Sequence, residues 1–169
     1  GDFSGRLTQF STALNINSTF GSALVDFSVS DSTGELTYLG KIDVPQLNLG
    51  KLVNQETILG HLSMETEIQG KAQMPFDNKD FFTSIEAVVS GRVNQIQLKE
   101  YMLQNVDFKG VYADRKYRAT VDSKDTNICF SIDGNVDFTG KLPNYIASLS
   151  ISDLAAGRIA AKWKTVDSL

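Results

Sequence analysis

The stretch His61-Leu62-Ser63-Met64-Glu65-Thr66-Glu67-Ile68-Gln69-Gly70 decides the fold of this chain. Leu62, Met64 and Ile68 fall on one side, and His61, Ser63, Glu65, Glu67 and Gln69 on the other. A strand turns successive side chains to opposite faces, so this spacing predicts a ribbon with one apolar and one polar side. Similar alternation runs along most of the 169 residues, through Ala23-Val25-Phe27-Val29, Leu36-Tyr38-Gly40-Ile42-Val44, Ile85-Ala87-Val89-Gly91-Val93 and Val106-Phe108-Gly110-Tyr112. Keeping Ile96 and Leu98 in phase with Val93 requires one extra residue near Asn94, as in a β-bulge.

Several segments break the rhythm. Residues 47–59 space their apolar side chains like a helical turn, with Gly60 as a stop. Residues 72–81 contain Pro75 and Asp77-Asn78-Lys79-Asp80 and read as an exposed loop. The three prolines, Pro45, Pro75 and Pro143, all fall between periodic segments, where no ladder donor is needed. Asp31-Ser32-Thr33-Gly34 and the tip within 112–118 read as turns, and Asp133-Gly134 as a two-residue hairpin turn. Tyr145 or Ile146 belongs to a last strand, and Ser152-Asp153-Leu154-Ala155 is expected to cap a short alanine-rich helix reaching Trp163.

The strand pattern carries a repeat. Val106-Asp107-Phe108-Lys109-Gly110 and Val136-Asp137-Phe138-Thr139-Gly140 are one pentamer repeated with a single change, as expected of a hairpin unit repeated along a growing sheet. A glycine after an inward Phe leaves room beside a ring or lets the strand coil.

A net charge of -4, with 16 basic and 20 acidic residues spread along the chain, lacks the concentrated basic patch of a nucleic-acid surface. A single Cys129 and a single His61 exclude an internal disulfide and a Cys/His zinc site. No nucleophile elbow, phosphate loop or dinucleotide fingerprint is present. Asp26, Asp107 and Asp137 alternate with apolar neighbours and face solvent or the next strand, so a glycosidase pair among them is disfavoured. Asp77 with Asp80, and Asp122 with Asp125, lack the alternating oxygen ligands of a calcium loop and read as solvated turns. The chain is therefore expected to be non-enzymatic, without cofactor or metal. Opening at Gly1 on strand-like sequence, it reads as a single domain over 1–169 excised from a longer, repeat-built protein.

The apolar side has two readings. Two sheets close on each other as a sandwich, or the sheet stays open as a trough. Periodicity does not separate them.

From about Ile42 to Leu154 the chain resembles the TamB and AsmA-like family of Gram-negative envelope proteins. The likeness runs in order through Leu47-Asn48-Leu49-Gly50-Lys51-Leu52, Ile58-Leu59-Gly60, Ile68-Gln69-Gly70-Lys71 and Ile85-Glu86-Ala87-Val88-Val89-Ser90-Gly91. It continues through Gln104-Asn105-Val106-Asp107-Phe108-Lys109-Gly110, Ile132-Asp133-Gly134-Asn135-Val136-Asp137-Phe138 and Ser150-Ile151-Ser152-Asp153-Leu154. Residues 1–40 match only as generic strands. The resemblance implies an all-β fold of about ten mostly antiparallel strands, coiled into an open, taco-like apolar groove, with one or two short helices. It implies a periplasmic protein anchored to the inner membrane outside this segment. Its expected partners are phospholipid, whose acyl chains it would hold, and a BamA-like outer-membrane barrel; the expected roles are lipid passage to the outer membrane and outer-membrane protein assembly. The groove would be lined by Leu62, Met64, Ile68, Ile85, Ala87, Val89, Val93, Val106, Phe108, Tyr112, Ala119, Val121, Ile128, Phe130, Ile132, Val136 and Phe138. The runner-up is a ligand-free structural β-sandwich repeat of an envelope or surface protein.

Overall fold

A computed structural model describes residues 1–6, 9–32, 34–73 and 83–155. The alternating segments form ten strands: β1 (Asp2–Arg6), β2 (Gln9–Ser18), β3 (Gly21–Ser32), β4 (Glu35–Asn48), β5 (Leu59–Gln73), β6 (Ile85–Leu98), β7 (Tyr101–Ala113), β8 (Lys116–Lys124), β9 (Ile128–Asp137) and β10 (Asn144–Leu154). They make one antiparallel sheet in strict chain order, so each strand pairs only with its sequence neighbours. The sheet is open: β1 and β10 are its two edges. Residues 1–40, which match the family only as generic strands, begin this same sheet as β1–β3 and the start of β4.

One short helix, α1 (Leu49–Leu52), sits in the β4–β5 connection. Asn48 starts it, its side chain accepting from the Lys51 N–H at 2.8 Å. The helix stops at Leu52, well before Gly60, as Asn54 takes a left-handed conformation with φ 57°. Gly60 belongs to β5 instead.

Four places in the ladder carry an extra residue on one strand. They fall between Val44 and Leu47 in β4, between Leu59 and Leu62 in β5, at Asn94 in β6 and at Ser152 in β10. The expected bulge at Asn94 is thus present: Met64 pairs with Val93 and Ser63 with Gln95. Each bulge has the same consequence. A single inserted residue shifts the alternation by one, and the sequence shifts its apolar residues with it, so Val44 and Leu47, Leu59 and Leu62, Val93 and Ile96, and Ile151 and Leu154 stay on one face. In β7 the left-handed Asn105, φ 56°, lies between Leu103 and Val106. Both are on that face too, through their partners Ile96 and Val93.

Three expectations are corrected. Asp133-Gly134 is not a turn: both residues lie inside β9, with Asp133 opposite Thr120 and Ser148, and Gly134 opposite Ala119 and Ala147. The tight turn is Asp114-Arg115, where both residues have positive φ, 50° and 59°, as the mirror-image hairpin turn requires. Pro45 lies within β4, at its bulge, where the ladder is already interrupted. Ser152–Leu154 end β10 rather than capping a helix; the remainder of the expected helix, most of the 72–81 loop and Trp163 lie outside the described residues.

Candidate functional site: the apolar face

The register gathers one side chain from every other position into a continuous apolar face. One row runs Val25, Ile42, Thr66, Gly91, Phe108, Val121, Ile132, Leu149 from β3 to β10. The next runs Phe27, Gly40, Ile68, Val89, Gly110, Ala119, Gly134, Ala147. All seventeen residues expected to line a groove share this face by pairing or phase. Phe138 lies one residue past β9, its N–H donating to the Arg115 carbonyl at 2.9 Å. Sequence reasoning left out the contribution of β2–β4 (Leu14, Ile16, Phe27, Tyr38) and of β10 (Tyr145, Leu149, Ile151), although the same alternation marks them.

Nothing layers over this face among the described residues. Val44, Leu62, Ala72, Tyr101 and Val106 are buried, but no large side chain among the described residues is completely enclosed. Toward the edges the face is open: Ile16 is 48% exposed, Leu149 61% and Tyr145 78%. A sandwich would have covered such side chains with a second sheet.

Four glycines on the face lie against aromatic rings of neighbouring strands, whereas Gly134 is open. Phe27 lies beside Gly40, Tyr38 over Gly70, Phe108 over Gly91 and Tyr117 over Gly110. An aromatic ring folded across a neighbouring strand's glycine fills the space of the missing side chain and keeps that backbone from water. Polar side chains interrupt the face at Thr12, Thr66 and Ser123, and the Ser123 hydroxyl donates to the Ile128 carbonyl at 2.8 Å. The hydroxyl of Thr66 is buried with no hydrogen-bond partner among the described residues.

The opposite face is polar and laced by charge pairs between adjacent strands. Lys41 meets Glu67 at 2.9 Å, Lys71 meets Glu35 and Glu86 at 3.6 and 3.7 Å, and Lys116 meets Asp137 at 3.9 Å. Asp107 accepts from Arg92 Nε at 2.6 Å and from Lys124 Nζ at 2.9 Å. Hydrogen bonds from these two cations hold its carboxyl down at about 2. Both cations thus favour the charged form of Asp107. These exposed pairs contribute little stability each, but they fix register and keep this face wet.

Asp125, expected in a solvated turn, is instead buried at the β8–β9 connection. It accepts from the Tyr101 hydroxyl and from the N–H groups of Gln104 (3.0 Å), Asn127 (2.8 Å) and Ile128 (3.3 Å). Burial pushes its carboxyl up, but the hydrogen bonds outweigh burial and leave it below the ordinary value. Its oxygens are engaged in pinning the connection to β7. Cys129 lies on the polar side, as its phase implies, and its thiol donates to the Asp125 carbonyl at 3.2 Å.

At one end of the apolar face lies a concavity of about 570 Å³ lined by Tyr112, Arg115, Tyr117, Phe138, Gly140, Lys141 and Pro143. It is formed by the β7–β8 turn and the β9–β10 connection. Among the described residues no group of His, Cys, Asp and Glu is placed to hold a metal, and no helix is long and apolar enough to cross a membrane.

No protein-family model, curated protein or solved structure matches the chain.

Proposed function

We propose that this chain is one section of a periplasmic, inner-membrane-anchored envelope protein that shields lipid acyl chains on its apolar face. The role would be phospholipid transport to, or homeostasis of, the outer membrane, together with outer-membrane protein assembly beside a BamA-like barrel. The observation that carries this reading is the uncovered apolar face, kept in phase through four bulges. An exposed apolar surface of this extent is unusual unless something apolar covers it. A core that closes on itself would not need that phase kept out to an open edge strand such as β10. The biological setting comes from the resemblance of the chain's motif order to the TamB and AsmA-like family.

The dimensions suit the task. Strands β3–β7 are 12 to 15 residues long, which makes the face roughly 40–50 Å tall. The acyl chains of one lipid occupy half of a ~30 Å hydrocarbon core. Each methylene moved from water onto such a surface contributes up to about 0.8 kcal/mol. The face offers few directional bonds to chains, so discrimination by chain type is expected to be weak.

Native mass spectrometry of the purified chain, with lipid extraction, tests the proposal. Bound phospholipid is expected. Recovery of none, together with no uptake of an apolar fluorescent probe, would leave a ligand-free structural module. The Val89→Asp variant separates the two further, since Val89 lies mid-strand on the apolar face. A lipid-bearing face keeps its fold and loses lipid, whereas a packed structural core melts.

A further inference from the structure

The concavity at the end of the sheet differs from the rest of the apolar face in chemistry. Its floor is aromatic, from Tyr112, Tyr117 and Phe138, and continues the face through the β7 and β8 alternation. Two cations from separate connections, Arg115 and Lys141, stand on its wall. Neither makes a salt bridge within 4 Å among the described residues; nearby Asp137 is paired with Lys116 and also feels the charge of Arg115, which lies farther from it. Asp114 adjoins Arg115 in the turn, so this end carries Arg115, Lys116 and Lys141 against Asp114 and Asp137. The volume of about 570 Å³ falls within the roughly 300–1,000 Å³ of small-molecule sites.

Arg115 also sits where the chain would do better without it. With Asp114 it forms the mirror-image hairpin turn at φ 59°, a position at which glycine is preferred. A side chain retained there at a conformational cost points to a role for the side chain itself.

We infer that this concavity is a headgroup site: Arg115 and Lys141 take the phosphate of an anionic phospholipid while its acyl chains run from the aromatic floor onto the sheet. The inference rests on the acyl-shielding reading and adds to it a fixed orientation, head at the β7–β8 turn and tails toward the middle of the sheet. A guanidinium suits this role because its fork matches two phosphate oxygens.

The test compares binding of dioleoyl phosphatidylglycerol with that of dioleoylglycerol, which has the same chains and no phosphate. The full chain, Arg115→Gly and Lys141→Ala are measured side by side. The wild type is expected to favour phosphatidylglycerol, each substitution lowering that affinity about five- to tenfold while leaving dioleoylglycerol binding unchanged. Arg115→Gly is also expected to raise the melting temperature by about 2 °C, as the turn loses its strain. That gain shows that lost binding is not lost folding. Glycerol 3-phosphate at equal concentration is expected not to compete, having no chains to lay on the floor. Equal binding of the two lipids by all three proteins overturns the headgroup site and leaves the apolar-face reading standing. Competition by glycerol 3-phosphate overturns it in favour of a soluble phosphoester site. Binding of neither lipid removes the acyl-shielding reading and the headgroup site with it.

Discussion

The Tyr38 ring lies across Gly70, and its hydroxyl donates to the backbone carbonyl of Glu86 at 3.0 Å. One side chain thus ties β4 to β6 over the intervening β5. Partial burial raises the Tyr38 pKa above the ordinary phenol value, which keeps the hydroxyl protonated as a donor. The two residues are directly opposite in the ladder, so the glycine is the space the ring occupies.

Substitution of the face glycines is expected to divide by what a new Cβ would meet. At Gly70 and Gly91 it would overlap backbone carbonyls of the neighbouring strand, Glu86 and Glu65. Gly70→Ala and Gly91→Ala should each cost about 2–3 kcal/mol in chemical unfolding. At Gly110 it meets only the end of the Tyr117 ring, which can swing aside, so Gly110→Ala should cost less than about 1 kcal/mol. Equal costs at the three positions would refute the close backbone approach.

Thr66→Val is expected to stabilise the protein by about 1 kcal/mol, since the buried hydroxyl has no partner to lose among the described residues. A rise in melting temperature of roughly 2–4 °C would register it. A fall would show that the hydroxyl is satisfied in solution.

Removal of Asp125 should be far more costly than its loop position suggests. Asp125→Ala leaves the Tyr101 hydroxyl and three N–H groups facing a void, and is expected to cost about 2–3 kcal/mol. Tyr101→Phe removes one of those bonds and should cost about 1–2 kcal/mol. Denaturant unfolding of both variants checks the order.

Acid is expected to unfold the chain over a defined window. Asp107 and Asp125 both have folded-state pKa values below their unfolded ones, Asp107 at about 2. Their contribution is complete above the unfolded value of about 4 and is lost as pH falls through the folded values. Melting temperature should therefore decline between about pH 4 and pH 2. The Asp125→Asn variant, weaker at neutral pH, should lose less over that interval. A wild-type melting temperature flat down to pH 2 would contradict the assignment.

The sheet was readable because period-two alternation is a local property, and the Asn94 bulge followed from a phase change in β6 alone. What misled was turn chemistry taken without the ladder. Asp133-Gly134 carries the strongest two-residue hairpin signal in the chain, yet β8 and β10 both pair straight through it. The turn at Asp114-Arg115 falls within the hairpin tip expected over 112–118, although neither residue is the glycine that the mirror-image turn favours. Asp125 looked like a solvated turn residue because its partners, Tyr101 and Gln104, come from another strand. Of the cation-lined end, the basic and aromatic stretch at 112–118 is legible in sequence, but its meeting with Phe138 and Lys141 is not, since these lie far away in the chain and come together only through the order of the strands. Whether the apolar side was a trough or a closed core depended on a second layer, which alternation along one strand does not encode.

The most direct measurement places a single tryptophan at Val88 or at Val89, consecutive residues on opposite faces of β6, in a Trp163→Phe background. Each protein is mixed with phospholipid brominated along its acyl chains, which quenches only on contact. Quenching of the tryptophan at position 89 but not of the one at position 88 is the expected result. Equal quenching at both positions, or none at either, would contradict the claim that acyl chains lie on this one face of the sheet.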